Sequence, residues 1–219
     1  MLKTILFKIC LAMWFAAWSP LLLVGLVSAR LTRRFIIWDA TGVLWLARII
    51  AGIKTEVVGA PTRGAIIASK HMSILEVAVL ATSIPGAFFI VKRELLWIPI
   101  YGWAFWRMGF IGVNRARGAT NMKSLAERAA EKIRRGAALI IFPEGTRMRP
   151  GAGVKLKRGL LFISETARVP IIPVGANTGL FWPKKGRMAP GLARITFEPA
   201  LPFDAPLDDI AAAIARHSA

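Results

Sequence analysis

The chain has 219 residues, 55% of them apolar, and 30 Lys and Arg against 12 Asp and Glu, for a formal charge of +18. Mean hydropathy is +0.53, so something beyond an ordinary core is apolar, and basicity combined with hydropathy favours anionic membrane lipid over nucleic acid as partner. One cysteine, Cys10, excludes a disulfide framework within the chain, and with His71 and His217 as its only histidines a His/Cys zinc site lacks ligands, so no metal is expected.

Cys10 to Ala29 is an uncharged run, preceded by Lys3 and Lys8 and followed by Arg30, Arg33 and Arg34. Three readings compete: a single spanning helix, a cleaved signal peptide ending at Val27-Ser28-Ala29, and a re-entrant or in-plane helical hairpin. Basic residues on both sides argue against a simple span. Ser19-Pro20 divides the run into halves of roughly 10 residues, each about half a bilayer core in length. A break there would return both basic ends to the cytoplasmic side. Phe35, Trp38, Val43, Leu44, Trp45 and Ile49 then recur at helical spacing. They mark a helix at the membrane interface or one packed on the domain.

From Gly64 the pattern changes to short apolar runs alternating with helical stretches, as in an α/β domain. Strands are expected at 65–68, 87–91, 109–113, 138–142, 169–174 and 193–197. Helices are expected at 74–81, 121–135, capped by Gly136, and at 156–167 and 208–216. The layout is thus residues 1–53 as membrane-associated helices and 54–219 as the α/β domain.

The first chemical constellation is Ser69-Lys70-His71-Met72-Ser73-Ile74-Leu75-Glu76. It follows a buried strand, which puts His71 where open α/β sheets place their sites. Histidine is a natural general base near neutral pH, and a carboxylate on its other ring nitrogen would fix its tautomer. Five positions along a regular helix turn through about 500°, so the two side chains cannot share a helix face. They meet only if His71 lies in the loop and Glu76 in the first turn. Ser73 with Glu76 three residues later is a capping-box pattern that starts the helix there. The same pattern is also compatible with Glu76 as a helix cap alone and His71 as an incidental loop residue.

The second constellation follows strand 138–142: Phe142-Pro143-Glu144-Gly145-Thr146-Arg147. Proline ends the ladder and Gly145 permits a tight turn and close ligand approach. Thr146 offers a hydroxyl and Arg147 a planar fork that can bind two phosphate oxygens. Glu144 could orient Arg147 or a substrate hydroxyl. A plain surface turn is the alternative. Lys92, Arg93 and Arg115 also follow strand ends and could join the same site. There is no G-x-S-x-G, P-loop or G-x-G-x-x-G, so the chemistry left is direct attack by a substrate hydroxyl deprotonated by His71.

In their order these blocks resemble the lysophosphatidic acid acyltransferases of the glycerolipid acyltransferase superfamily. His71 to Glu76 resembles the H-x4-D motif, with Glu76 in place of the usual aspartate. Lys92-Arg93-Glu94-Leu95 with Gly109 to Arg115 resembles the second block, Phe142 to Arg147 the third, and Val169-Pro170-Ile171-Ile172-Pro173-Val174 the fourth. The resemblance covers about residues 55–200. It implies a mixed, mostly parallel sheet flanked by helices, behind an N-terminal membrane-binding helical segment. It implies His71 and Glu76 as catalytic residues. Arg147, Thr146, Gly145, Glu144, Arg115 and Lys92 become the candidates around the acceptor phosphate. The implied reaction moves an acyl group from acyl-CoA or acyl-carrier protein, with no resident cofactor, to the 2-hydroxyl of 1-acylglycerol-3-phosphate. Phosphatidic acid is the product, and the expected location is the cytoplasmic face of the inner membrane. Another lysolipid acceptor, such as a lyso-ornithine lipid, and a non-catalytic basic membrane-binding protein are the alternatives.

Overall fold

A computed structural model describes residues 2–25, 27–60, 63–114 and 122–218. Strands β2 (Ile66–Ser69), β5 (Leu139–Ile141) and β6 (Ile171–Ala176) are buried along their whole length. Their continuous apolar runs need cover on both faces, and a parallel sheet between helix layers supplies it. With β1 (Ile53–Val58), β3 (Phe88–Lys92), β4 (Ile111–Val113) and β7 (Gly191–Phe197) they form a seven-stranded sheet of order β1-β7-β6-β2-β5-β3-β4. All neighbours are parallel except β6 and β7. The sheet is therefore mixed and mostly parallel, and β6-β2-β5-β3-β4 all end on one edge.

Helices α3 (Leu75–Ser83), α5 (Met122–Arg134), α6 (Gly159–Ala167) and α7 (Leu207–Ala215) surround the sheet. Ile66, Ile67, Leu139, Ile140, Val79, Leu80, Ala129 and Ile163 lie in one apolar core between the layers. The expected elements from residue 65 onward appear within about three residues of their sequence limits. Among the described α-helices and β-strands, two have no counterpart in the sequence reading. β1 is an edge strand exposed along most of its length, so it lacks the apolar run that reveals an inner strand. α4 (Tyr101–Arg107) is too short to establish a helical period.

The N-terminal region differs from the expectation in where it turns. α1 (Leu2–Gly25) runs through Pro20 without a break, and α2 (Ala29–Ala51) follows a turn at Val27-Ser28. Proline removes one helical hydrogen bond, but packing on α2 holds the helix on both sides of it. Trp14 Nε1 donates to Asp39 at 2.8 Å and Trp18 Nε1 to the Phe35 carbonyl at 3.0 Å. Leu22, beyond the proline, is fully buried. Gly42 admits this approach, because a Cβ there would collide with the Trp14 ring. At the far end of α2, Gly52 takes φ 71° and its N–H caps the Ala47 and Arg48 carbonyls.

α1 is long and apolar enough to cross a bilayer by length and composition. It also touches the domain near both ends. The Thr4 hydroxyl accepts from Met188 N at 3.1 Å and Phe7 meets Trp182 edge-on at 4.8 Å, while Leu22 packs with Ile36 and Ala104.

Asp39 is buried in this hairpin, and desolvation pushes its carboxyl up to about 6 against the opposing hydrogen bond from Trp14. The Tyr101 hydroxyl is buried near the same carboxylate and has no hydrogen-bond partner among the described residues. An aspartate with a raised pKa binds a proton in the folded chain that the unfolded chain has already lost, so its support for folding declines as pH rises from about 4 to about 6. Asp39→Asn keeps an oxygen acceptor for Trp14 and abolishes the titration. Thermal or denaturant unfolding should show the variant gaining on wild type between pH 4 and pH 7, by up to about 3 kcal/mol. A constant difference across that window contradicts the burial argument.

Candidate active site

The ladder fixes which residues meet at the catalytic edge. Ile67 is level with Ile140, and Ile140 with Phe89. Counting forward, Lys70, Pro143 and Lys92 reach the same height, with His71 and Glu144 one residue beyond Lys70 and Pro143. A parallel register thus brings together two segments more than seventy residues apart in the chain.

His71 lies in the loop after β2, and Glu76 is in the first turn of α3. His71 Nδ1 is 2.8 Å from Glu76 Oε1. The carboxylate, fully buried, also accepts from Met72 N at 2.8 Å, from Ser73 N at 2.8 and 3.0 Å, and from the Thr178 hydroxyl at 2.6 Å. An ionised carboxylate has no proton to give, so the imidazole must donate through Nδ1, and in the neutral ring Nε2 is left as the base. The capping box and the His–Glu contact are thus one arrangement: Ser73 Oγ accepts from Leu75 N at 3.1 Å while Glu76 reaches back to Ser73 N. The helix begins one residue later than the pattern suggested, at Leu75. Phe142 stacks on the imidazole with centroids 4.2 Å apart, covering one ring face.

Glu144 is turned into the domain. Its Oε2 accepts the His71 backbone N–H at 2.9 Å, and its Oε1 lies 3.2 Å from Lys70 Nζ without hydrogen-bond alignment. Lys70 is itself buried and donates to the Ala152 carbonyl at 2.9 Å. Desolvation raises the Glu144 pKa, while the His71 N–H and the Lys70 charge pull it back. Glu144 therefore grips the loop that carries His71, and it forms no hydrogen bond or ion pair with Arg147.

The remaining candidates lie around this centre. Gly145 has φ 71°, a value that favours glycine, and a Cβ there would lie 3.1 Å from Lys157 Nζ. Thr146 is exposed and Arg147 half-buried. Met148 N donates to the His71 carbonyl at 2.7 Å, which stations the Thr146-Arg147 turn beside the histidine. The Arg147 guanidinium has no hydrogen-bond or ion-pair partner among the described residues. Lys92 is exposed at the end of β3, two strands from β2 and so about 10 Å away laterally. Arg115 lies outside the described residues.

Four residues escaped the sequence reading. Lys70 precedes His71 and looks like a solvated charge, since its burial depends on Glu144 from another strand. Phe142 reads only as the last residue of a strand. Lys157 stands over Gly145 from the segment before α6. Thr178 reaches Glu76 across 102 positions, a separation for which no local pattern exists.

A histidine in contact with a buried carboxylate at the end of a parallel strand, beside an arginine with no partner among the described residues, is the equipment for base-catalysed attack by a hydroxyl on an electrophile held near a phosphate. Comparison with known proteins agrees. The family model described as Acyltransferase matches residues 54–177, and the chain belongs to that family. It is 32% identical over 207 residues to the 1-acyl-sn-glycerol-3-phosphate acyltransferase of Pseudomonas aeruginosa, covering 91% of this chain and 80% of that protein. It is 30% identical over 181 residues to the human 1-acyl-sn-glycerol-3-phosphate acyltransferase alpha, covering 78% of this chain and 64% of the human one. The crystal structure of the 1-acyl-sn-glycerophosphate acyltransferase PlsC from Thermotoga maritima has the same fold. It aligns with a TM-score of 0.76 over 98% of this chain and 92% of that one, at 21% identity.

Two substitutions test the supports. Glu144→Ala leaves the buried Lys70 ammonium without its counter-charge, held only by the Ala152 carbonyl, and the His71 N–H without a partner. Denaturant unfolding should register a loss of about 3–5 kcal/mol, and a loss below about 1 kcal/mol would mean that the pair is not buried. Thr178→Val removes one donor from the Glu76 carboxylate. The expected result is a kcat about tenfold lower with KM little changed, the size of one hydrogen bond to a charged group. An unaltered kcat would remove Thr178 from the machinery.

Proposed function

We propose that this chain transfers a fatty acyl group to the 2-hydroxyl of 1-acylglycerol-3-phosphate, giving phosphatidic acid. The observation that carries this reading is the 2.8 Å contact between His71 Nδ1 and the buried Glu76 carboxylate, which leaves Nε2 free as a base. Nε2 takes the hydroxyl proton as the oxygen attacks the carbonyl of an acyl thioester. The tetrahedral oxyanion collapses and expels the thiolate, which takes the proton from the imidazolium. Glu76 stabilises the imidazolium between these two transfers without accepting its proton. The donor in this scheme is an acyl-CoA or an acyl-carrier protein, used as a co-substrate. The relatives' names support the acceptor, since each specifies 1-acyl-sn-glycerol-3-phosphate.

Arg147 is the first candidate for the acceptor phosphate, because its turn is tied to His71 through Met148 and it has no partner among the described residues. Thr146 and the exposed Lys157 border the same turn, and Lys92 extends the basic rim. Like charges gathered on one edge favour a dianionic head group.

The domain's contacts with α1 support an in-plane attachment to the membrane. A helix secured near both ends to the catalytic domain is poorly placed to stand across a bilayer. The hairpin turn is followed at once by Arg30, Arg33 and Arg34, and sinking that tip into hydrocarbon would be costly. The outward residues Leu6, Ile9, Met13, Leu23 and Val24 are exposed and apolar, which suits a helix lying on anionic lipid. On this reading the catalytic domain rests on the cytoplasmic face of the inner membrane.

His71→Ala should lower acyl transfer by about a hundred- to ten-thousand-fold while vesicle binding persists. Near-normal turnover in a lysophosphatidate assay would refute the mechanism. Arg147→Ala should raise KM for the phosphorylated acceptor about 10- to 100-fold, the magnitude of a lost charge-assisted hydrogen bond. An unchanged KM would assign the phosphate to other residues.

A further inference from the structure

Residues 93–107 leave the catalytic edge of the sheet at the end of β3. Trp97, Trp103 and Trp106 in this segment are 66%, 57% and 70% exposed, with Leu95 and Ile98 uncovered beside them. Scattered apolar surface residues are ordinary, but a cluster of indoles on one short segment marks a surface that meets something. The other side of α4 is packed. Ala104 is buried with Leu22 and Ile36, and Tyr101 meets Phe15 edge-on at 5.5 Å. Arg107 Nη2 donates to the Val27 carbonyl at 3.2 Å, which ties the end of α4 to the turn between α1 and α2. The exposed tryptophans are thus fixed to the helical hairpin.

The segment is coupled just as firmly to the catalytic centre. Rings run in sequence from α4 to the histidine: Phe105 to Phe110 at 5.1 Å, Phe110 to Phe89 at 5.1 Å, Phe89 to Phe142 at 6.3 Å and Phe142 to His71 at 4.2 Å. Cations accompany the indoles. The Arg93 guanidinium lies 5.2 Å from the Trp97 ring, and on the hairpin Arg34 lies 5.3 Å from Trp38. Tryptophan with arginine is the composition of an interfacial belt over anionic lipid. A second copy of this chain is a poor occupant, because Arg93 and Arg107 would face their own duplicates.

We propose that residues 95–106 form a second membrane-inserting element. Trp97, Ile98, Trp103 and Trp106 enter the headgroup zone of an anionic bilayer beside the α1–α2 hairpin, and they seat the catalytic edge of the sheet against lipid. This rests on the reading that the hairpin itself lies in the membrane.

The test uses the full chain with Cys10→Ser and one cysteine carrying an environment-sensitive fluorophore, placed at Trp106→Cys, at Met13→Cys on the outer face of α1, or at Arg134→Cys on α5. Vesicles of phosphatidylethanolamine and phosphatidylglycerol carry a nitroxide on the acyl chain. Labels at 13 and 106 should both shift to the blue and be quenched, and the label at 134 should do neither. A quenched label at 13 with an aqueous label at 106 overturns the second element and leaves the hairpin reading standing. Aqueous labels at both positions overturn both. A blue-shifted label at 106 that the nitroxide does not quench means protein covers the patch, and this also overturns the proposal. Trp97→Ser with Trp106→Ser, both surface changes, should weaken vesicle partitioning at least tenfold, and unchanged partitioning would contradict the inserted indoles.

Discussion

A carboxylate removed from water must be surrounded by donors or give up its charge, and Glu76 is surrounded. The His71 ring, the Met72 and Ser73 amides and the Thr178 hydroxyl all point at it. These contacts fix three things at once. They start α3, they set the tautomer of His71, and they join the loop after β2 to the segment after β6. An unpaired buried anion would cost several kcal/mol, so the contacts stand or fall together. The longer glutamate side chain, in a place where the family usually has aspartate, still delivers its oxygens to all of these donors.

The sheet makes this possible. Because β2, β5 and β6 are parallel and adjacent, the residues that follow them emerge together on one edge. His71 comes from the first, the Glu144 to Arg147 turn from the second, and Thr178 from just beyond the third. Glu144 and Lys70 then bind the first two loops from beneath. The acid that resembles a substrate contact in the sequence is a girder in the fold, and the arginine three residues later is left without a partner among the described residues.

Sequence pattern revealed what is local. The His71–Glu76 contact was legible because its spacing and the Ser73 cap lie within one turn, and inner strands such as 138–142 were legible because burial on both faces writes an unbroken apolar run. What depends on distant packing was not. Lys70 carries no mark of burial, Thr178 is far from its carboxylate in the chain, and β1 is a mostly exposed edge strand. Pro20 misled for the same reason. Its local preference to break a helix is real, but Trp14, Trp18 and Leu22 hold α1 to its neighbours on either side. Moving the turn to Val27-Ser28 puts the basic cluster at the tip of the hairpin instead of at its open ends, and this changes how the segment can meet a bilayer.

The central claim is that Glu76 holds His71 as the Nδ1–H tautomer with Nε2 unprotonated. The chain has only two histidines, so ¹⁵N labelling of histidine and long-range ¹H–¹⁵N correlation, with His217→Gln to assign the signals, read that proton directly. At a pH where the ring is neutral, the account predicts a protonated Nδ1 and a pyridine-like Nε2 for His71. The proton on Nε2, or rapid exchange between the two nitrogens as in free imidazole, would contradict it.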